Sequence, residues 1–575
     1  MSSRRTSSGL QSLVLPAAGV VLFLCGWQGL ATGPWEDTGL PAVPGTLDAL
    51  SSLAGDSTFW SSVGATVREA LAGFALSVVV ALPLGLYAGI SSFGHSATRL
   101  TIEILKPIPA IVVLPLAVLE LGTSNKLAVF LVMFTLIPML TITVAAGARD
   151  TDPVTLDAAR SYGLGSLART WRVVVPSALP FIVTGLRVAA SFALVVAVVA
   201  GLYGGAPGLG RDLDTYRQAG EVETAFAYVF VLGVLGIALN AVLSAFERRV
   251  LFWHESVRSD SSATGTRSVV AVMPSAWRAR LWRAQDACER QAHQLGALSL
   301  VRTLTRTLRP RRPPVSEVAW RWLLRLVMVL VPLAVLAAWW VRSAGSVNPF
   351  FPPLSDIVDR FSAIWLSTDA LENAYPSLRN LVIGFALGTT AGIAAGAVIG
   401  QVQWLYRMLT PLVSFTRSIP SIAYLPILIS LIGFTAPMRV TAITLAAFFP
   451  VLIASIDGVR GIDQTLLDAV RSYRIPRRVS FFSVRLPAAV PRIFVGAELG
   501  LVAALIVMVA SELIGATQGI GAQVLLAQQT FQFADMWAGL LLLGAIGITT
   551  NLVFRLTRRR ALAWYDGARA AAKAQ

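Results

Sequence analysis

Asp157-Ala158-Ala159-Arg160-Ser161-Tyr162-Gly163, nine further residues, then Val173-Val174-Val175-Pro176: the chain writes this stretch and, 311 positions on, writes it again. The second version reads Asp468-Ala469-Val470-Arg471-Ser472-Tyr473-Arg474, nine residues, then Val484-Arg485-Leu486-Pro487. The same shift aligns Pro41 with Pro352, Gly73-Phe74 with Gly384-Phe385, Pro109 with Pro420, Gly185 with Gly496 and Trp253 with Trp564, without a gap. So long a period excludes a solenoid, whose repeats run about 20–50 residues. It indicates two copies of one fold, expected at 1–255 and 318–575 and joined by a basic segment at 256–317.

Composition sets the class. Of 575 residues, 55% are hydrophobic and 14% charged, with mean hydropathy +0.68; soluble proteins carry about 25% charged residues. Apolar runs near the roughly 20 residues that cross a bilayer recur along the chain. In the first copy they fall at 12–31, 66–91, 101–121, 126–148, 179–203 and 225–246. In the second they fall at 322–342, 377–401, 409–433, 437–457, 490–515 and 535–556. Six spans per copy predict an all-α polytopic membrane protein of twelve transmembrane helices. An even number gives both copies one orientation, as parallel repeats about a pseudo-two-fold axis along the membrane normal.

The net charge of +16 follows from that topology. Arg4, Arg5, the loop from Arg149 to Arg172, the segment 247–321 and Arg558, Arg559 and Arg560 fall on one side. Glu36, Asp37, Asp48, Asp56, Asp212, Asp214, Glu221 and Glu223 fall on the other. Basic loops stay cytoplasmic, so both termini are expected there and nucleic acid is not needed to explain the basicity. Residues 275–300 read either as an amphipathic helix suited to the inner leaflet or as part of a solvated basic linker held near anionic lipid by charge alone. The Arg4-Arg5 pair suggests an export signal only weakly, because a matching span opens the second copy at Trp322.

Two cysteines, Cys25 and Cys288, give no disulfide framework, and His95, His254 and His293 have no metal-ligand spacing. The three lysines, Lys106, Lys126 and Lys573, lack the glycine pattern of a phosphate-binding loop. No catalytic residue, metal or cofactor is therefore expected in this chain; ATP and Mg, where used, belong to partner subunits.

The repeated loop resembles the "EAA" loop of binding-protein-dependent ABC importer permeases, whose pattern is E-A-A-x3-G-x9-I-x-L-P. Lys106-Pro107-Ile108-Pro109 and Arg417-Ser418-Ile419-Pro420 are similar to the third-span segment of the nitrate/sulfonate/taurine class. Gly204-Gly205-Ala206-Pro207-Gly208-Leu209-Gly210 and Gly515-Ala516-Thr517-Gln518-Gly519-Ile520-Gly521 match that class's glycine-rich outer loop. Glu512 keeps its acidic residue, where the first copy has Gly201. The resemblance implies two fused permease domains of the type I importer fold in a bacterial cell membrane. It also implies two ABC ATPase subunits on the cytoplasmic face, an external solute-binding protein and alternating access.

By that resemblance Asp157, Ala158, Ala159, Tyr162, Gly163 and Pro176, with Asp468, Ala469, Val470, Tyr473, Arg474 and Pro487, form the ATPase-coupling loops. Aspartate replaces the usual glutamate in both copies, and Arg474 with Pro476 nearby leads one to expect a different turn in the second. Lys106, Arg417 and Glu512 are candidates for the cavity or gate. The shift also sets Arg187 opposite Glu498, and equivalent positions beside a two-fold axis can face each other. One reading is a pair across the copy interface; the other is that both lie near the cytoplasmic headgroups and snorkel separately. An ion- or proton-coupled secondary transporter is the alternative; it requires mid-span carboxylates, scarce here beyond Glu512 and Glu120.

Overall fold

The computed structural model describes residues 3–33, 39–106, 108–251, 317–368, 370–565 and 567, with no strand among them. The linker at 256–316, with the candidate interfacial helix, lies outside these residues. Four-residue helices and short 3-10 or π turns aside, the first copy runs α1 (Ser3–Ala31), α2 (Val43–Gly55), α3 (Ser57–Ile90), α4 (Ser92–Leu105) and α5 (Ala110–Leu121). It continues through α6 (Asn125–Arg149), α7 (Pro153–Ser161), α8 (Val175–Gly204), α9 (Leu209–Gln218) and α10 (Val222–Val250). The second repeats the order as α11 (Glu317–Ser343), α12 (Leu354–Trp365), α13 (Ala370–Gln401), α14 (Gln403–Ser418) and α15 (Tyr424–Ile432). It ends with α16 (Ala436–Arg460), α17 (Gln464–Ser472), α18 (Leu486–Leu513), α19 (Ile520–Gln529) and α20 (Phe533–Ala561).

Ten helices among the described residues have the length and hydropathy of a span. The third candidate of each copy is a bent pair of helices and not one straight helix. α4 meets α5 at 87°, and α14 meets the segment carrying α15 at 85°, so twelve is reached only if each bent pair is one span. Proline is the cause. It lacks an N–H and disfavours helix in the residue before it. Pro109 (φ −65°, ψ 140°) and Pro420 (φ −55°, ψ 126°) are both extended.

Within each copy α3 lies along α6 and α6 along α8, with the same order for α13, α16 and α18. Glycines set the closeness. Gly384, Gly388, Gly392, Gly396 and Gly400 recur every fourth residue of α13. A Cβ on Gly384 would stand 2.6 Å from Ile443, and one on Gly396 would stand 2.5 Å from Ser455. Small residues at this spacing let backbones approach where lipid offers no hydrophobic drive. In the first copy Gly73 and Gly85 meet Val132 and Val144 in the same way.

The copies exchange elements. α1 packs on α14 of the second copy, and α11 packs on α4 of the first. Each elbow seats on a glycine of the other copy's last helix: Ile108 against Gly544 and Ile419 against Gly233. Polar ties cross as well. The Tyr203 hydroxyl donates to the Ile422 carbonyl (3.5 Å), and Gln528 Nε2 donates to the Pro115 carbonyl (3.2 Å). One hydrophobic core accordingly mixes Ile111, Val112 and Leu116 with Leu425, Met438 and Leu505.

Candidate coupling face

α7 and α17 lie at one end of the bundle, the loop face, between α6 and α8 and between α16 and α18. Each is started by an aspartate one residue ahead of it. Asp152 accepts from the amides of Val154 (3.1 Å) and Thr155 (3.2 Å) and from the Thr155 hydroxyl (2.8 Å). Asp463 accepts from the Thr465 amide and hydroxyl, both at 2.9 Å. These side chains satisfy N–H groups that a helix start leaves bare. The Thr155 hydroxyl foremost, with the Val154 amide, holds the Asp152 carboxyl below the usual 3.8; the Thr465 amide foremost does the same for Asp463. The capping pair went unread in the sequence, although the shift aligns Asp152 with Asp463.

The helices then separate two faces. Ala159 and Val470 turn inward and are buried. Ala158 and Ala469 are exposed, as are Tyr162 (88%) and Tyr473 (82%). Val154, Ala158 and Tyr162 recur every four residues, and Thr465, Ala469 and Tyr473 repeat the register, so each short helix offers an uncovered stripe ending in a tyrosine. Asp157 pairs with Arg160 (2.6 Å) and Asp468 with Arg471 (2.9 Å), both solvent-exposed. Such pairs contribute about 0.5 kcal/mol or less.

The turn after the helix corrects one expectation. Gly163 has φ +73° and Arg474 has φ +50°, both left-handed. The bonds also match: Gly163 N–H to Arg160 and Leu164 N–H to Ala159, against Arg474 N–H to Arg471 and Ile475 N–H to Val470. The second loop therefore turns as the first does, with arginine held where glycine is at ease. A wide π turn follows in each copy, Thr170–Val174 and Phe481–Arg485, just before Pro176 and Pro487 open α8 and α18.

The Arg187–Glu498 pair is not formed. Arg187 Nη1 bonds Glu247 of its own copy (2.7 Å), and its guanidinium also donates to Asn240 Oδ1 (3.1 and 3.3 Å). Glu498 instead accepts from Arg558 Nη1 (3.1 Å). The 311-residue shift aligns Glu247 with Arg558, so the two copies hold one ion pair with its charges exchanged between α8/α10 and α18/α20. Lys106 and Arg417 stand exposed at the two elbows. Glu512 is 1% exposed and accepts from the Gly521 N–H at 2.9 Å.

The family described as "Binding-protein-dependent transport system inner membrane component" matches twice, at residues 81–252 and 388–561, more than half of the chain. A putative aliphatic sulfonates transport permease protein of Bacillus subtilis (strain 168) is 31% identical over 244 residues, covering 42% of this chain and 88% of the relative. A taurine transport system permease protein of Escherichia coli (strain K12) is 28% identical over 256 residues, covering 43% of this chain and 93% of the relative. A nitrate import permease protein of Synechocystis (strain PCC 6803) is 25% identical over 253 residues, covering 42% and 92%. Each relative matches about the length of a single copy here. The chain belongs to the binding-protein-dependent ABC transporter permeases and carries that membrane domain twice.

Proposed function

We propose that this chain is the complete membrane pathway of an ABC importer, its two copies doing the work of two permease subunits. The observation that carries this reading is the pair of capped helices α7 and α17, each presenting an uncovered tyrosine-ended stripe in the same register. Two ABC ATPase subunits dock there on the cytoplasmic side, each receiving a short helix in a groove with Tyr162 or Tyr473 as its aromatic anchor. They hold ATP and Mg; this chain makes and breaks no covalent bond. Both termini and the loop face are cytoplasmic, and the opposite end, the far face, receives an external solute-binding protein. Closure of the ATPases draws α7 and α17 together and opens the pathway outward, and hydrolysis resets it. The cargo is a small polar solute or oxyanion, the class spanned by the sulfonate, taurine and nitrate relatives.

The test is co-purification of the tagged full chain, expressed in its native host, with an ABC ATPase subunit. The wild type should bring the ATPase down, and Tyr162→Glu with Tyr473→Glu should abolish that association while leaving the chain folded. Undiminished recovery of the ATPase with the double variant would sink the reading. An ion- or proton-coupled carrier draws on one observation, the buried carboxylates Glu69 and Glu512. It requires uptake by vesicles without ATP under an imposed proton gradient, and the importer reading predicts none.

A further inference from the structure

Beneath the glycine-rich loops of the far face, the two copies differ in where a buried carboxylate stands. In the second copy the first turn of α19 is held by two side chains. Ser377 of α13 accepts from the Ile520 N–H (3.0 Å), and Glu512 of α18 accepts from the Gly521 N–H (2.9 Å). In the first copy Thr66 of α3, the counterpart of Ser377, accepts from the Leu209 N–H at 2.9 Å. Glu512 has no counterpart there, because its position is Gly201. A Cβ at Gly201 would stand 3.0 Å from the Arg211 nitrogen and 3.2 Å from Gly210 Cα, so α9 rests on the α8 backbone. Among the described residues no side chain accepts from the Gly210 N–H.

One turn along α3 from Thr66 stands Glu69, where the second copy has Asn380. Glu69 is 2% exposed, and neither carboxylate oxygen has a hydrogen-bond partner among the described residues. An uncommitted carboxylate in a span costs several kcal/mol; Asn380 is likewise buried, with its Oδ1 unpartnered among the described residues, but carries no charge. The start of α9, which Thr66 contacts one turn earlier on α3, carries N–H groups and the positive end of a helix dipole, which together favour an anion.

We infer that each copy carries one carboxylate for the first turn of its far-face helix, and that in the first copy it has moved from span five to span two, as Glu69. Glu512 is engaged in this structure. Among the described residues Thr66 is the one side chain that accepts from the start of α9, and Glu69, one turn further along α3, takes the Gly210 N–H when α9 shifts on α8. Glu69 is thus a positioning residue. The first copy has the looser outer helix, and on the importer reading it yields first when the pathway opens outward.

Hydrogen exchange on the full chain in lipid nanodiscs tests this without ATPase or solute, so it fails or succeeds independently of the importer reading. Residues 209–213 should exchange at least about fivefold faster than 520–524 in the wild type. Glu69→Asn should raise the rate at 209–213 a further threefold or so. In the second copy Glu512→Gly should speed exchange at 520–524 about fivefold or more, and adding Asn380→Glu should reverse most of that change. Equal wild-type rates, an unchanged rate in Glu69→Asn, or no reversal by Asn380→Glu would each overturn the inference. Should the Glu69 variants fail to fold, the second-copy pair decides it.

Discussion

At the scale of single residues, the exchanged ion pairs make the sharpest prediction. Arg187 and Glu247 are only partly exposed, at 35% and 16% of their side-chain surface. Reversing Arg187 to glutamate sets two carboxylates together and should destabilise the chain by roughly 1–3 kcal/mol. Arg187→Glu with Glu247→Arg rebuilds the second copy's arrangement, and thermal unfolding should show most of the loss recovered. The sequence held the signal. The shift that set Arg187 against Glu498 also set Glu247 against Arg558, and a long side chain on α8 reaches its own hairpin partner α10 before it reaches a symmetry axis. Arg474 gives a second prediction. A left-handed arginine costs about 1 kcal/mol, so Arg474→Gly should raise stability by about that amount. Gly163→Arg should lower it similarly, for a Cβ there meets open space and only the backbone objects.

Elements bring different forces into view. The caps of α7 and α17 depend on ionised aspartates whose folded pKa lies below 3.8. Their contribution is complete above the unfolded value and is lost as pH falls through the lower folded one. Protection of the Val154 and Thr155 amides, corrected for intrinsic exchange, should hold down to about pH 4 and fall in stronger acid. Asp152→Ala should remove that protection at every pH, raising exchange several-fold. In α13 the glycine stripe predicts that Gly396→Leu separates α13 from α16 and costs about 2 kcal/mol or more by overpacking. Gly64→Ala, whose Cβ meets nothing within 4 Å, should be nearly silent. The spans were legible because bilayer thickness sets a length that apolar runs must meet. The elbows were not, because Pro107-Ile108-Pro109 is apolar and hydropathy registers burial while saying nothing of direction. α2 and α12, too short to span, likewise carry no hydropathy signal of their own.

For the whole molecule, duplication was readable from the 311-residue period, and so was the family. Which helix touches which was not, since periodicity marks an apolar face without naming its partner. The reciprocal packing of α1 on α14 and α11 on α4 has a measurable result. Co-expressed as separate chains, residues 1–255 and 318–575 should assemble and co-purify one to one. Deleting residues 3–31 removes one of the two exchanged helices and should weaken that association at least about tenfold, for which 1.4 kcal/mol suffices. If recovery is unaffected, the exchanged helices do not hold the halves together.

Asn240 and its counterpart Asn551 stand beside the exchanged ion pairs in both copies. Asn240 accepts from Arg187, and Asn551 lines a small cavity with Glu498 and Phe554. An amide both donates and accepts, so it can serve an arginine or a carboxylate at the same place. Reversing a salt bridge one substitution at a time must pass through a mismatched step, and a neighbour indifferent to sign makes that step survivable. The asparagine would have given two diverging halves a route through sequence space to opposite charges without breaking either hairpin on the way.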